Sequence, residues 1–135
     1  YPGAVRPWQH VVDCLAGYLG LAQAMAGDPR KYSGEGNFGP ADADSYPVSR
    51  VVESLGSLWG IERPWVPDTA VHAPEELQLR LDTSKAAKYL GWRCLLPIGE
   101  TLQWAASWYR GYHDGHDARG LCRHQIGSYL ARAGN

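Results

Sequence analysis

The chain has 135 residues, 44% hydrophobic and 20% charged, with a formal net charge of -1. Such a composition fits one folded domain with a core and excludes a disordered chain. It also argues against a dedicated nucleic-acid binder, which would be clearly basic.

No apolar run is long enough to cross a bilayer, and no charged-then-apolar leader opens the sequence, so no membrane partner is expected. Cys14, Cys94 and Cys122 are odd in number, far apart and form no CxxC pair. They point to a reducing cytoplasm and, lying beside apolar runs, to inert packing. The sequence starts at Tyr1 and holds its only methionine at Met25, which reads as an excerpt of something longer.

"VRPWQHV" crowds an arginine, two aromatic rings and an amide in front of an apolar run. Val11, Val12, Leu15, Leu19, Ala22 and Met25 then recur at helical spacing, predicting a helix over 11–26 that "GDPR" stops. "GEGNFGP", residues 34–40, reads as a short strand whose glycines allow close backbone approach. "ADADSYP" reads as a polar loop. Pro47 suits the first turn of a helix with Val48, Val51, Val52, Leu55, Leu58 and Trp59 on one face and Gly60 as its stop.

The proline-rich run over 62–76 must be irregular. "LQLRL", residues 77–81, alternates like a strand. Asp82, Thr83 or Ser84 can cap a short helix ending at "LGW". Pro97 opens a longer helix with Ile98, Leu102, Ala105 and Tyr109 on one side. "GYHDGHD" breaks it, and a last helix puts Ala118, Leu121, Cys122, Gln125 and Tyr129 in register. The expected architecture is α/β and helix-rich: five helices with a few short strands in a single domain over 1–135.

Chemistry is sparse. "HDGHD" offers metal-ligand types, but at a helix-to-helix turn these are better read as turn and cap residues, and no metal site is expected. There is no GxSxG, and "GYLG" sits mid-helix rather than after a strand, so it fails as a phosphate loop. Arg6 and Arg80 lie on separate elements. Arginine grips phosphate oxygens in a bidentate fork, so the two could clamp a diphosphate, or simply be solvated surface charges.

The runs "RPWQHV", "GYL", "NFGP", "PVSRVVE", "LRLDTSKAAKYLGWR" and "WYRGY" together resemble the C-terminal, substrate-binding part of the CDP-glucose 4,6-dehydratases, members of the extended short-chain dehydrogenase/reductase superfamily. The resemblance implies a Rossmann-type lyase that eliminates water from CDP-glucose to give CDP-4-keto-6-deoxyglucose, a precursor of deoxysugars in lipopolysaccharide.

NAD in that family is bound by an N-terminal domain, and the catalytic Tyr-x-x-x-Lys lies upstream. Neither that motif nor a glycine-rich dinucleotide turn occurs here, so no catalytic residue is expected in this chain. The residues carried over as substrate-binding are Arg6 on the diphosphate, with Trp8, Gln9, His10, Glu75 and Arg80. Pro74 stands where the family often has a histidine, which loosens the assignment of Glu75.

The implied partners are a CDP-sugar and an NAD-binding domain on which residues 8–39 would pack. Without that domain, the chain is expected to self-associate. The other readings are a free-standing nucleotide-sugar-binding or assembly module, and part of a related nucleotide-sugar epimerase.

Overall fold

A computed structural model describes residues 1–134. Its smallest element organises much of it. Strand β1 (Val5–Pro7) has a neighbour along each edge. On one side it pairs antiparallel with β2 (Ser45–Pro47), in the register Val5↔Pro47, Arg6↔Tyr46, Pro7↔Ser45. On the other, the Val5 N–H donates to the Leu77 carbonyl (2.8 Å) and the Leu79 N–H donates to Val5 O (3.1 Å).

The strand expected over 77–81 is therefore only a parallel bridge between Val5 and Gln78. The next bond of the ladder would have to come from Pro7, which has no N–H. The expected "NFG" strand does not form either. Gln9 Nε2 donates to Phe38 O (2.7 Å) and Asn37 Nδ2 donates to Asp82 O (3.2 Å), so side-chain bonds serve this segment in place of a ladder. Conversely, the polar loop expected at "ADADSYP" contains a 3-10 turn at Asp42–Asp44 and then β2.

Six helices are present among the described residues, one more than expected: α1 (Val11–Gly27), α2 (Pro29–Tyr32), α3 (Val48–Trp59), α4 (Ser84–Leu90), α5 (Ile98–His113) and α6 (Ala118–Ala133). The extra one, α2, is a single turn. Asp28 Oδ1 accepts from the Lys31 N–H (3.1 Å) and Pro29 occupies the first position.

Gly60 (φ 74°) and Gly91 (φ 64°) close α3 and α4 in the left-handed conformation that glycine adopts without strain. At the start of α5, the Ile98 N–H finds an acceptor in Asp44 Oδ1 (3.1 Å), 54 residues earlier. No helix among the described residues is long and apolar enough to cross a membrane.

The core lies where α3 and α5 cover the small sheet. Val51, Ile98 and Leu102 are buried together, with Trp8, Tyr46, Leu55 and Leu58 packed on them. The buried face of α5 is Ile98, Thr101, Leu102 and Ala106, whereas the expected Tyr109 is exposed. On α6, Tyr129 is buried and Cys122 exposed, so Cys122 is not the packed thiol the sequence suggested. Phe38 stands edge-on to Tyr18 (5.5 Å) and Trp92 (5.0 Å). Its ring lies so close to α1 that a Cβ at Gly17 would come within 2.4 Å of it, which makes glycine obligatory there.

Helix α1 is turned the opposite way from its periodicity. Val11, Leu15, Leu19 and Met25 of the apolar stripe are exposed, and Asp13 and Gly17 face inward. The reason is Asp13, which is fully buried. Its Oδ1 accepts from the Leu95 N–H (2.8 Å) and from the Tyr129 hydroxyl (2.9 Å), and its Oδ2 accepts from the Leu96 N–H (3.2 Å).

A buried carboxylate is tolerated only when its lone pairs are met. These three donors meet them and tie α1 to the segment before α5 and to α6. Asp13→Asn presents an amide N–H to a backbone N–H and should lower unfolding stability in urea by about 3 kcal/mol. Tyr129→Phe removes one donor and should cost about 1.5 kcal/mol. Equal midpoints for the two variants would show that the carboxylate is not the common anchor.

Candidate functional site

The residues of "RPWQHV" leave β1 and start α1, and each is held differently. The Trp8 side chain turns into the core and its Nε1 donates to Tyr46 O (2.9 Å). Gln9 reaches across to Phe38 through Nε2, while its Oε1 is buried with no hydrogen-bond partner among the described residues. Trp92 Nε1, on a ring that packs against the same Phe38, is buried and unpartnered in the same way.

His10 is buried and caps α1: its Nδ1 accepts from the Val12 N–H (3.2 Å), and its ring sits edge-on to Trp104 at 5.6 Å. Accepting at Nδ1 requires the neutral ring with its proton on Nε2.

Arg6 alone of the group presents a charged end near the surface. Its side chain is 19% exposed. One guanidinium nitrogen, Nη1, donates to Val5 O (2.8 Å). The other, Nη2, is paired with the Glu75 carboxylate. The structure thus brings together Arg6 and Glu75, 69 residues apart in the chain.

Arg80 is not part of that pair. It faces Asp42 at 3.7 Å, in an ion pair whose side chains are 51% and 80% exposed. Exposure of that degree leaves such a pair weak. The alternation of side chains along extended backbone also sets Arg80 on the face of Val5 and Gln78, opposite Arg6.

Beside Glu75 lies a cleft of about 820 Å³ lined by Tyr1, Pro2, Asp68, His72, Pro74 and Glu75. The Tyr1 hydroxyl donates to Ala73 O (2.8 Å), and His72 Nε2 bonds Asp68 Oδ2 (2.9 Å). Bonds to the Ala70 N–H and to His72 hold the Asp68 carboxyl below its ordinary range.

Elsewhere the chemistry is quiet. Burial, with the Asp13 charge nearby, pushes the Cys94 thiol up to about 12, so no thiolate forms there near neutrality. Burial and the hydrogen bond to Asp13 raise the Tyr129 hydroxyl in the same direction. His113 ends α5, and His116 follows the turn at Gly115 (φ 87°). Among the described residues no three His, Cys, Asp or Glu side chains group as a metal would need.

Sequence reasoning missed Asp13 as the anchor of this region. Its one signal was a lone acidic residue inside an otherwise apolar helix.

Burial lowers the His10 pKa below its ordinary 6.5, partly opposed by the Asp13 charge. The unfolded chain therefore takes up this proton first. The stabilising contribution of His10 is complete above about pH 6.5 and is lost as pH falls further. Thermal unfolding followed between about pH 7.5 and pH 5.5, one unit either side of the ordinary histidine value, should show that decline. His10→Asn, which keeps a capping acceptor but does not titrate, should show a flatter profile. Parallel profiles for the two proteins would remove His10 as the cause.

No protein-family model matches the chain. Among curated proteins it is 35% identical, over 130 residues, to "CDP-glucose 4,6-dehydratase" of Salmonella typhimurium. The match covers 96% of this chain and 36% of that protein, so the chain spans about a third of its relative's length. The resemblance expected from the motifs is thereby shown, and the observed helix-rich α/β architecture agrees with it.

Proposed function

We propose that this chain is the nucleotide-sugar-binding portion of a CDP-glucose 4,6-dehydratase, with Arg6 as the group that grips the diphosphate. The similarity to that enzyme over nearly the whole chain carries the reading. The setting of Arg6 supports it. Its guanidinium is pinned by one bond to Val5 O, keeps further N–H donors for an anion, and is bound by a carboxylate whose oxygens accept as phosphate oxygens do.

Trp8, Gln9 and His10 shape the wall behind Arg6 and fix the start of α1, while Glu75 flanks it on the segment beside β1, with Arg80 on the opposite face of that segment. The elimination of water belongs to the catalytic Tyr-x-x-x-Lys half of such an enzyme, a motif these residues lack.

NAD does not fit this chain. Gly17 and Gly20 lie inside α1, and the approach to Gly17 is filled by Phe38, so no glycine-rich strand-to-helix turn is offered to a dinucleotide among the described residues. No step through NAD is assigned to these residues. The exposed apolar stripe of α1 supports the companion proposal that residues 8–39 dock on a nucleotide-binding domain, and that without it the chain pairs with itself.

Two experiments test this. Calorimetric titration with CDP-glucose should give saturable binding, which Arg6→Ala weakens by about 1.5–3 kcal/mol, the worth of a charge-assisted contact. Equal affinity for the variant would remove Arg6 from the phosphate. Tighter binding of UDP-glucose than of CDP-glucose would favour the related-epimerase reading. In sedimentation, the unaltered chain should gain apparent mass with concentration, and Leu19→Glu, on the exposed stripe, should abolish the gain. A monomer at every concentration would end the docking proposal.

A further inference from the structure

We infer that Glu75 is a tethered competitor for the phosphate site, a specificity-determining residue that must leave Arg6 before a nucleotide sugar can bind. The inference rests on the reading of Arg6 as the phosphate grip.

Arg6 Nη1 donates to Val5 O and Nη2 to Glu75 Oε1, so the carboxylate sits on the charged end of the guanidinium that an incoming anion would meet. The carboxylate approaches from the open side: the Glu75 side chain is 53% exposed against 19% for Arg6. A carboxylate and a phosphate present oxygens to a guanidinium in the same geometry, so the two cannot share Nη2 at full strength.

The half-exposed Glu75 side chain has solvent to turn into, between backbone ties at Ala73 and Leu77. It lies at the end of the irregular segment 61–76. The long-range bond close to it in that segment is from the Tyr1 hydroxyl to Ala73 O, and its cleft of about 820 Å³ gives the displaced carboxylate room.

Tethering has a chemical consequence. An attached carboxylate faces Arg6 at a high effective concentration, so a free carboxylate of equal charge cannot replace it. A diphosphate brings more charge and more acceptor oxygens, and can. Glu75 thereby screens out simple carboxylates and admits the diphosphate class of ligand.

The test is a set of titrations of the whole chain with CDP-glucose, alone and with acetate as a carboxylate probe. Glu75→Gln removes the competing charge and should bind CDP-glucose about three- to tenfold more tightly, the range expected when a half-exposed ion pair no longer has to be broken. Acetate should compete with CDP-glucose in Glu75→Gln and not in the unaltered chain. Glu75→Ser should behave as Glu75→Gln does, and thermal melts of both should match the parent, since Glu75 is exposed.

Unchanged or weaker binding by Glu75→Gln, while Arg6→Ala still loses affinity, overturns this inference alone and makes Glu75 a positioning residue for Arg6. Loss of the Arg6→Ala effect overturns the reading beneath it. Absence of CDP-glucose binding in both the unaltered chain and Glu75→Gln overturns both.

Discussion

The carboxylate of Asp13 is the charge on which the arrangement of the helices depends. It accepts hydrogen bonds from two consecutive backbone N–H groups, of Leu95 and Leu96, and from the Tyr129 hydroxyl. Those donors belong to the segment ahead of α5 and to α6, so one side chain on α1 fixes three parts of the chain against each other. A buried anion without such donors would be too costly to hold. With them, it decides which side of α1 faces inward. The direction in which the chain leaves β1 follows, and with it the position of Arg6.

Seen from that anchor, "RPWQHV" divides its labour by residue. The indole of Trp8 and the amide of Gln9 are spent on the carbonyls of Tyr46 and Phe38, and the imidazole of His10 on the first turn of α1. Only the guanidinium of Arg6 is left with a reach toward solvent, and it meets Glu75. That crowded mixture is mostly packing and capping.

The helices were legible because their signals are local. Gly60 and Gly91 stop α3 and α4 where the sequence puts a stop, and Pro97 precedes α5 as expected. The face of α1 was not legible, because periodicity reports which residues share a side and not which side meets the core. Asp13 and Gly17 decided that through partners about 80 and 20 residues away.

The sheet was hidden for a different reason. Strands of three residues, two of them proline-bearing, are too short for an alternation to register, and Pro7 and Pro47 look like breakers. "LQLRL" did carry the alternation, yet the ladder it could have extended ends at Pro7. Of the candidate site, the pairing of Arg6 with Glu75 could not be read from spacing. Arg6 was singled out by its chemistry as well as by family resemblance, Glu75 by the resemblance alone, and only the fold shows that they touch.

The two neighbours of β1 have a consequence for the order of assembly. One arrives from residues 45–47 and the other from 77–79, so the strand gains its ladder only after loops of roughly 40 and 70 residues have closed. Closing such loops costs entropy before any contact offsets it, and topologies rich in distant pairings fold slowly for that reason. Helices α3 and α5 can form from local signals alone. Arg6, by contrast, has no fixed position until most of the chain has been made and brought back to it. The end of the molecule that carries Arg6 therefore takes shape only after residues 77–79 have been made.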